Sequence, residues 1–93
     1  MGKVIVRFFG AAIEAAKRQT ETEVEAENLC ELLDTLSASF GDSFKQKVLD
    51  PTGRPQPFVN IFVNDKDIRH QEDLETKLKD GDEVLILPAI AGG

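Results

Sequence analysis

The two residues at the end of the chain, Gly92 and Gly93, carry its most distinctive chemistry. A chain-terminal carboxylate has a reference pKa of about 3.3–3.7 and is therefore an ionised nucleophile at neutral pH. Because neither glycine has a side chain, this end of the chain can enter a narrow active site on another protein. We therefore expect Gly93 to carry the reactive carboxylate.

An ionised carboxylate can attack the α-phosphate of ATP and form a mixed acyl-phosphate anhydride. The attack brings two anions together, so it needs Mg²⁺ and cationic groups that offset the repulsion. The residues after Pro88 reach at most about 17 Å when fully extended, which is near the depth of an enzyme cleft. We expect a partner enzyme to supply the catalytic groups, and this protein to be a macromolecular substrate and carrier.

The other candidate groups lack a supporting pattern. His70 is the single histidine, and no serine or cysteine motif makes it the base of a catalytic triad. Cys30 is the single cysteine, which excludes an internal disulfide and a thiolate metal site; we predict that it is structural rather than reactive. Asp80 and Asp82 around Gly81 resemble a fragment of a calcium loop, but a tight turn explains them. We predict no metal site and no catalytic residue in the chain.

Composition narrows the class of protein. The chain has 93 residues, which is enough for one domain with its own core. Its formal net charge of −6 argues against a nucleic-acid partner, because such binding needs a concentrated basic surface. No stretch approaches the length of a membrane span, and Arg7 interrupts the first apolar run. We expect a cytoplasmic protein that binds neither nucleic acid nor membrane.

The hydrophobic pattern predicts the elements that position the tail. In chain order we expect a largely buried strand at 4–9, a short helix at 11–18, a strand at 20–26, a main helix between Asn28 and Gly41, a packed helical turn at 44–49, a loop at 50–57, a strand at 58–63, a short returning strand, a helical turn at 74–78, and a last strand at 83–87 that Pro88 ends. This order predicts an α+β fold in which the main helix lies across one face of a mixed sheet.

Two of these elements have detailed signatures. Asn28 can cap the main helix, with Glu31 three residues later as in a capping box. In the strand at 20–26, every second residue is a glutamate (Glu21, Glu23 and Glu25). These carboxylates fit a partner or cation site, but a solvated strand edge that its charges protect is the favoured interpretation.

The end of the chain resembles a known family. The run D-G-D-E-V-L-I-L-P-A-I-A-G-G at 80–93, with F-V-N-I-F-V-N at 58–64 and the strand at 4–9, resembles the MoaD family. MoaD is the small, sulfur-carrying subunit of molybdopterin synthase, and it is related to the thiamine sulfur carrier ThiS and to ubiquitin-like modifiers. The resemblance covers essentially the whole chain. It implies a ubiquitin-like β-grasp fold.

The resemblance also implies a function. A MoeB-like adenylating enzyme would activate Gly93 with ATP and Mg²⁺, and a sulfur donor would convert the acyl-adenylate to a thiocarboxylate. Gly92 and Ala91 would belong to a flexible tail at 89–93 that follows a β-grasp domain at 1–88. A MoaE-like large subunit would hold this tail and supply the catalytic groups of molybdopterin synthase.

The chain departs from the family pattern at two places. Family tails often read Pro-Pro-Val before Ala-Gly-Gly, whereas this chain has Pro88-Ala89-Ile90. The proline-rich loop at 50–57 makes the chain longer than the smallest carriers, and it is either an insertion or a partner contact. The alternatives are a carrier for tRNA thiolation or thiamine, a ubiquitin-like modifier of lysines, and a non-covalent interaction domain. We expect the exposed sheet face to dock partners, with Asp80, Asp82 and Glu83 as steering charges or as solvated turn residues.

Overall fold

The computed structural model describes residues 2–88 of the chain. The strands are β1 (Gly2–Phe8), β2 (Glu21–Ala26), β3 (Val59–Val63), β4 (Lys66–Asp67) and β5 (Glu83–Pro88). The helices are α1 (Ala11–Ala15), α2 (Leu29–Phe40) and α3 (Asp42–Val48), and short 3₁₀ turns lie at Ile68–His70 and Asp73–Glu75. In this part of the chain, no helix combines the length and the apolar character that crossing a membrane requires.

The strands form one mixed sheet in the order β2-β1-β5-β3-β4. β1 and β5 are parallel, whereas the β1–β2, β3–β5 and β3–β4 pairs are antiparallel. The last strand therefore lies in the centre of the sheet, between β1 and β3. This architecture confirms the predicted mixed sheet.

Alternation along the strands gives the sheet two different faces. In β1 the burial pattern alternates strictly, so that Val4, Val6 and Phe8 are buried and the residues between them are exposed. The same alternation in the neighbouring strands completes one apolar face, which the helices cover. Its other members are Val24, Ala26, Val59, Ile61, Val63, Val84 and Ile86. We call this the covered face and the opposite side the open face.

The main helix is built as its sequence predicts. The Asn28 side chain accepts a hydrogen bond from the Glu31 N–H at 2.8 Å, and the Glu31 carboxylate accepts one from the Glu27 N–H at 3.1 Å. Gly41, with φ of 71°, ends the helix. Its buried stripe packs toward the covered face and comprises Leu29, Leu32, Leu33, Leu36 and Phe40. The capping box and the stripe are both confirmed.

Several boundaries differ from the prediction, including the following three. The first helix ends at Ala15, because Lys17 and Arg18 have positive φ values of 55° and 69° and leave the helical conformation. Around Leu74 only one 3₁₀ turn forms, and buried Leu78 lies outside it. Pro88 belongs to β5, where it pairs with Val59 across the sheet.

The proline-rich loop has a defined local structure. The Asp50 carboxylate accepts hydrogen bonds from the Thr52 N–H (2.9 Å), the Thr52 hydroxyl (2.6 Å) and the Arg54 N–H (3.0 Å). These donors, led by the Thr52 hydroxyl, hold the pKa of Asp50 below its ordinary value. The loop then returns to α3, since the Gln56 N–H donates to the Val48 carbonyl at 2.9 Å. It packs as a small hairpin against the end of α3.

Candidate functional site

The sheet determines where the predicted tail leaves the domain. Phe8 pairs with Ile86 on one side of β5, and Val59 pairs with Pro88 on the other. The chain is therefore held in the centre of the sheet up to Pro88. The predicted site residues Ala91, Gly92 and Gly93 lie outside the described residues, as does the predicted flexible segment 89–93, so their assignment stays a prediction.

Next to Pro88, the open face carries a patch of large apolar side chains. Phe9, one residue beyond β1, and Leu87 are 40% and 39% exposed. In the next row across the sheet, half-buried Leu85 lies between Arg7 and half-buried Phe62. We call Phe9, Phe62, Leu85 and Leu87 the exit patch. Contiguous apolar surface on a soluble domain is typical of a protein-binding site.

Sequence reasoning expected docking on the exposed sheet face but missed the residues of this patch, because it interpreted the strand at 4–9 as largely buried. The strands at 58–63 and 83–87 have apolar residues in both alternating sets. A single main helix covers only one face of a sheet, so apolar residues in the second set already indicate a surface for a partner. That signal was available in the sequence.

The acidic residues just before and at the start of β5 form contacts within the domain. Asp82 is only 8% exposed, and its carboxylate accepts hydrogen bonds from the Lys79 N–H (2.8 Å) and the Asn64 side chain (2.9 Å). Asp80 accepts one from the Lys3 N–H at 2.8 Å. Glu83 forms a salt bridge with Arg7 at 3.1 Å. The steering interpretation is therefore wrong for Asp82, and Asp80 and Glu83 are engaged within the domain.

The unpaired negative charge of the open face lies instead on β2. Its three glutamates, Glu21, Glu23 and Glu25, are all exposed. Arg7 lies directly across from Glu21 in the β1–β2 pair, but its guanidinium forms a salt bridge with Glu83. Among residues 2–88, no cationic side chain lies within salt-bridge distance of these three carboxylates.

The remaining candidate groups do not converge on one another. Cys30 is exposed in the first turn of α2, so it has no packing role in the core. His70 is exposed in a 3₁₀ turn. Within the described part of the chain, no group of three or more histidine, cysteine or carboxylate side chains is arranged to hold a metal ion.

The helix side of the domain carries an open groove. It lies between α2, α3 and the loop at 50–57, and its volume is about 710 Å³. Its lining is a mixture of polar and apolar groups from these three segments, including Asp34, Lys45 and Leu49. The groove therefore lies on the other side of the sheet from the exit patch.

Together the fold and this site define a class of protein: a small mixed-sheet domain that presents an apolar patch beside the end of its central strand β5. Comparison with known proteins identifies the family. The ThiS family model matches residues 6–93, so the match extends over Gly92 and Gly93. The chain belongs to the ThiS/MoaD family of ubiquitin-like sulfur carrier proteins.

Relatives of known name agree with the family. The chain is 40% identical over 83 residues to a putative sulfur carrier protein of Archaeoglobus fulgidus, covering 87% of this chain and 93% of the relative. It is 38% identical over 77 residues to the sulfur carrier protein CysO of Mycobacterium tuberculosis, covering 81% and 82%. It is 35% identical over 96 residues to the molybdopterin synthase sulfur carrier subunit of the same organism, covering both chains completely.

Solved structures confirm the ubiquitin-like β-grasp fold. A crystal structure of the BexX/CysO complex of Amycolatopsis orientalis contains a similar chain, with a TM-score of 0.83, 29% identity, and coverage of 97% of this chain and 99% of that one. The solution structure of the small archaeal modifier protein 1 of Methanosarcina acetivorans has a TM-score of 0.81 and 33% identity, covering 100% and 98%.

Proposed function

We propose that Gly93 is the residue on which this carrier loads sulfur. In the first step the Gly93 carboxylate attacks the α-phosphate of ATP on a MoeB-like enzyme, which releases pyrophosphate and leaves an acyl-adenylate. In the second step a sulfide donor attacks the acyl carbon and displaces AMP. The product is a thiocarboxylate, with one sulfur atom in place of one carboxylate oxygen.

The observation that carries this proposal is the position of β5. β1 pairs with it as far as Ile86 and β3 pairs with it as far as Pro88, and the family match extends through the glycines that follow. The segment beyond Pro88 spans at most about 17 Å when extended. That length lets Gly93 enter a deep active site while the domain itself stays docked outside.

The exit patch supports a docking role for the open face. It lies beside Pro88 and offers aromatic and aliphatic side chains, the kinds of groups that dominate the buried centres of protein interfaces. An activating enzyme and a MoaE-like large subunit would each cover this patch while holding the tail. The two partners would then bind in turn rather than together.

We further propose that the sulfur goes to molybdopterin synthesis. Support comes from the relative named as a molybdopterin synthase sulfur carrier subunit, whose alignment covers this chain completely. The similarity to CysO, at 38% identity, favours a CysO-type carrier as the second candidate. The similarity to the small archaeal modifier protein 1, at 33% identity, keeps conjugation to lysines as a further possibility.

The loading step is tested by incubating the full chain with ATP, Mg²⁺, a MoeB-like enzyme and sulfide. Intact-mass spectrometry should first show that the isolated protein ends at Gly93, and then that one oxygen has been replaced by sulfur. The matched control is the chain without Gly93. Its folding should be unchanged, because deletions outside the hydrogen-bonded core are tolerated, and it should take up no sulfur. Absence of both adenylate and thiocarboxylate on the intact chain would refute the proposal.

The acceptor is tested separately with the loaded protein. In the presence of a MoaE-like subunit and the pterin precursor, the thiocarboxylate should return to a carboxylate as sulfur appears in the pterin. A thiocarboxylate that persists under these conditions would exclude the molybdopterin assignment without affecting the carrier assignment. Appearance of Gly93 in amide linkage to lysine side chains would identify a modifier.

A further inference from the structure

We propose that the outer edge of β2 binds an extended segment of a partner protein in which lysine or arginine occupies every second position. This inference concerns a surface that the loading of Gly93 does not use. It rests on the main-chain groups that β2 leaves unpaired and on the charges that accompany them.

The two edges of the sheet differ in length. β4, at one edge, has only two residues, whereas β2, at the other, has six. Short edge strands are one way in which proteins prevent unwanted pairing. In the described part of the chain, β2 pairs with β1 alone. The β2 edge is therefore the one with room for another strand.

The hydrogen-bond register shows which residues of β2 face outward. The Phe8 N–H donates to the Thr20 carbonyl at 2.9 Å, which continues the antiparallel register by one position beyond the Arg7–Glu21 pair. Hydrogen-bonded and non-hydrogen-bonded pairs alternate along such a ladder. The N–H and C=O groups of Glu21, Glu23 and Glu25 therefore point away from β1, toward the free edge.

Several common devices that protect an edge are missing from β2. The strand contains no proline, and its six pairs with β1 run without a bulge from Gly2 and Ala26 to Arg7 and Glu21. The protection that remains is the charge of its glutamates, which project from the open face. Negative charge repels an added strand that is itself acidic and attracts one that is cationic.

The three carboxylates select the chemistry of an added strand. A second copy that paired through its own β2 would place glutamates beside glutamates, and like charges across a strand pair are destabilising. A strand with cationic residues at alternate positions would match the roughly 6.8 Å repeat of the glutamates. Lys3 and Arg7 lie across from Glu25 and Glu21 in the β1–β2 register, but neither is within salt-bridge distance of them. All three carboxylates are therefore available to a partner's cations. Main-chain pairing and charge thus both favour an extended segment with lysine or arginine at every second position.

The test uses the full-length, isotopically labelled protein and a synthetic peptide of alternating arginine and valine. We expect the peptide to shift the amide resonances of β2 and to slow hydrogen exchange at Glu21, Glu23 and Glu25. Two control peptides of equal length separate the contribution of charge from that of main-chain hydrogen bonding. An alternating glutamate–valine peptide reverses the charge, and an arginine–valine peptide methylated on every second main-chain nitrogen keeps the charge but cannot complete the ladder. Neither control should bind at β2.

Variants of the protein test the same surface from the other side. Glu23→Lys should weaken binding of the arginine–valine peptide by about fivefold or more, since an attraction becomes a repulsion. Glu14→Lys, at an exposed position of α1, makes the same change in net charge and should leave the affinity unchanged.

Three results would overturn the inference. These are no binding, equal binding of the methylated peptide, or resonance shifts confined to the exit patch. The peptide should bind equally well to the chain without Gly93. Failure of sulfur loading and failure of edge binding are therefore distinguishable.

Discussion

The two faces of the sheet use the same strands for different purposes. On the covered face the side chains of β1, β3 and β5 are almost completely buried under the helices. On the open face the same strands carry exposed apolar groups and one salt bridge, and the neighbouring β2 carries a row of glutamates. Each strand thus combines a stabilising face with a binding face, and adjacent residues have separate roles.

Phe8 and Phe9 show the contrast most directly. Phe8 is 2% exposed and its ring packs edge-on against Phe40 at a centroid distance of 5.7 Å, whereas Phe9 is 40% exposed. Both are phenylalanines, and they are consecutive in the sequence. The difference between them comes entirely from the alternation of the strand and from where the helices lie.

The strongest test of this contrast replaces each phenylalanine by alanine. Phe8→Ala should lower the free energy of unfolding by about 3–5 kcal/mol, because it removes a buried ring and leaves a cavity. Phe9→Ala should change it by less than about 1 kcal/mol, since little buried surface is lost. Urea denaturation followed by circular dichroism measures both. Equal losses for the two variants would show that the open face also belongs to the core.

Gly2→Ala should be the next largest change. Gly2 is buried at the start of β1, and a Cβ there would lie 2.8 Å from the Leu78 carbonyl oxygen and from the Lys79 backbone. Backbone atoms cannot move aside as a flexible side chain does, so we expect a loss of about 1–3 kcal/mol, as for other overpacked sites. The control is Lys3→Ala, one residue along on the open face, which should be nearly neutral in the same denaturation assay. A neutral Gly2→Ala would mean that this end of β1 can move away from residues 78–79.

Sequence reasoning succeeded where local patterns determine the outcome. The capping box of Asn28 and Glu31 and the five-residue apolar stripe of α2 are set by residues within a few positions of one another. The alternation of β2 is equally local. These signals predicted the main helix, the strands and the mixed sheet.

Sequence reasoning failed where a side chain's contacts come from residues that are distant in the sequence. Asp82 lies in a turn that its sequence marks as polar, but Asn64 from the β3–β4 turn lies beside it and donates a hydrogen bond to it. Glu83, which the sequence suggested as a steering charge, forms a salt bridge with Arg7 from the neighbouring strand β1. The candidate residue Gly93 is a different case, because only its chemistry and the family resemblance support it.

A substitution in the exit patch tests binding without testing stability. Leu87→Ser should lower the kcat/KM of adenylation by the activating enzyme about tenfold, because truncating a central interface residue typically costs more than 1 kcal/mol of binding. Its unfolding free energy should change little, since Leu87 is exposed. Rates of pyrophosphate release at limiting carrier concentration measure the effect.

The matched control for Leu87→Ser is Ala38→Ser, at an exposed position of α2 on the helix side. It should leave adenylation unchanged. If both variants reacted like the unmodified protein, the open face would not be the surface that the activating enzyme covers. If Leu87→Ser unfolded the protein, the separation of the two faces would fail.

The smallest expected effect is that of the Arg7–Glu83 salt bridge on the open face. Its side chains are 47% and 40% exposed, and exposed ion pairs typically contribute 0–1 kcal/mol. The single variants alone would mislead, because Arg7 freed from Glu83 can turn toward Glu21 across the strand pair. A double-mutant cycle with Arg7→Ala and Glu83→Ala isolates the coupling. We expect less than about 1 kcal/mol, decreasing further in high salt. A coupling of about 2 kcal/mol that salt leaves unchanged would place part of the domain's stability on the open face.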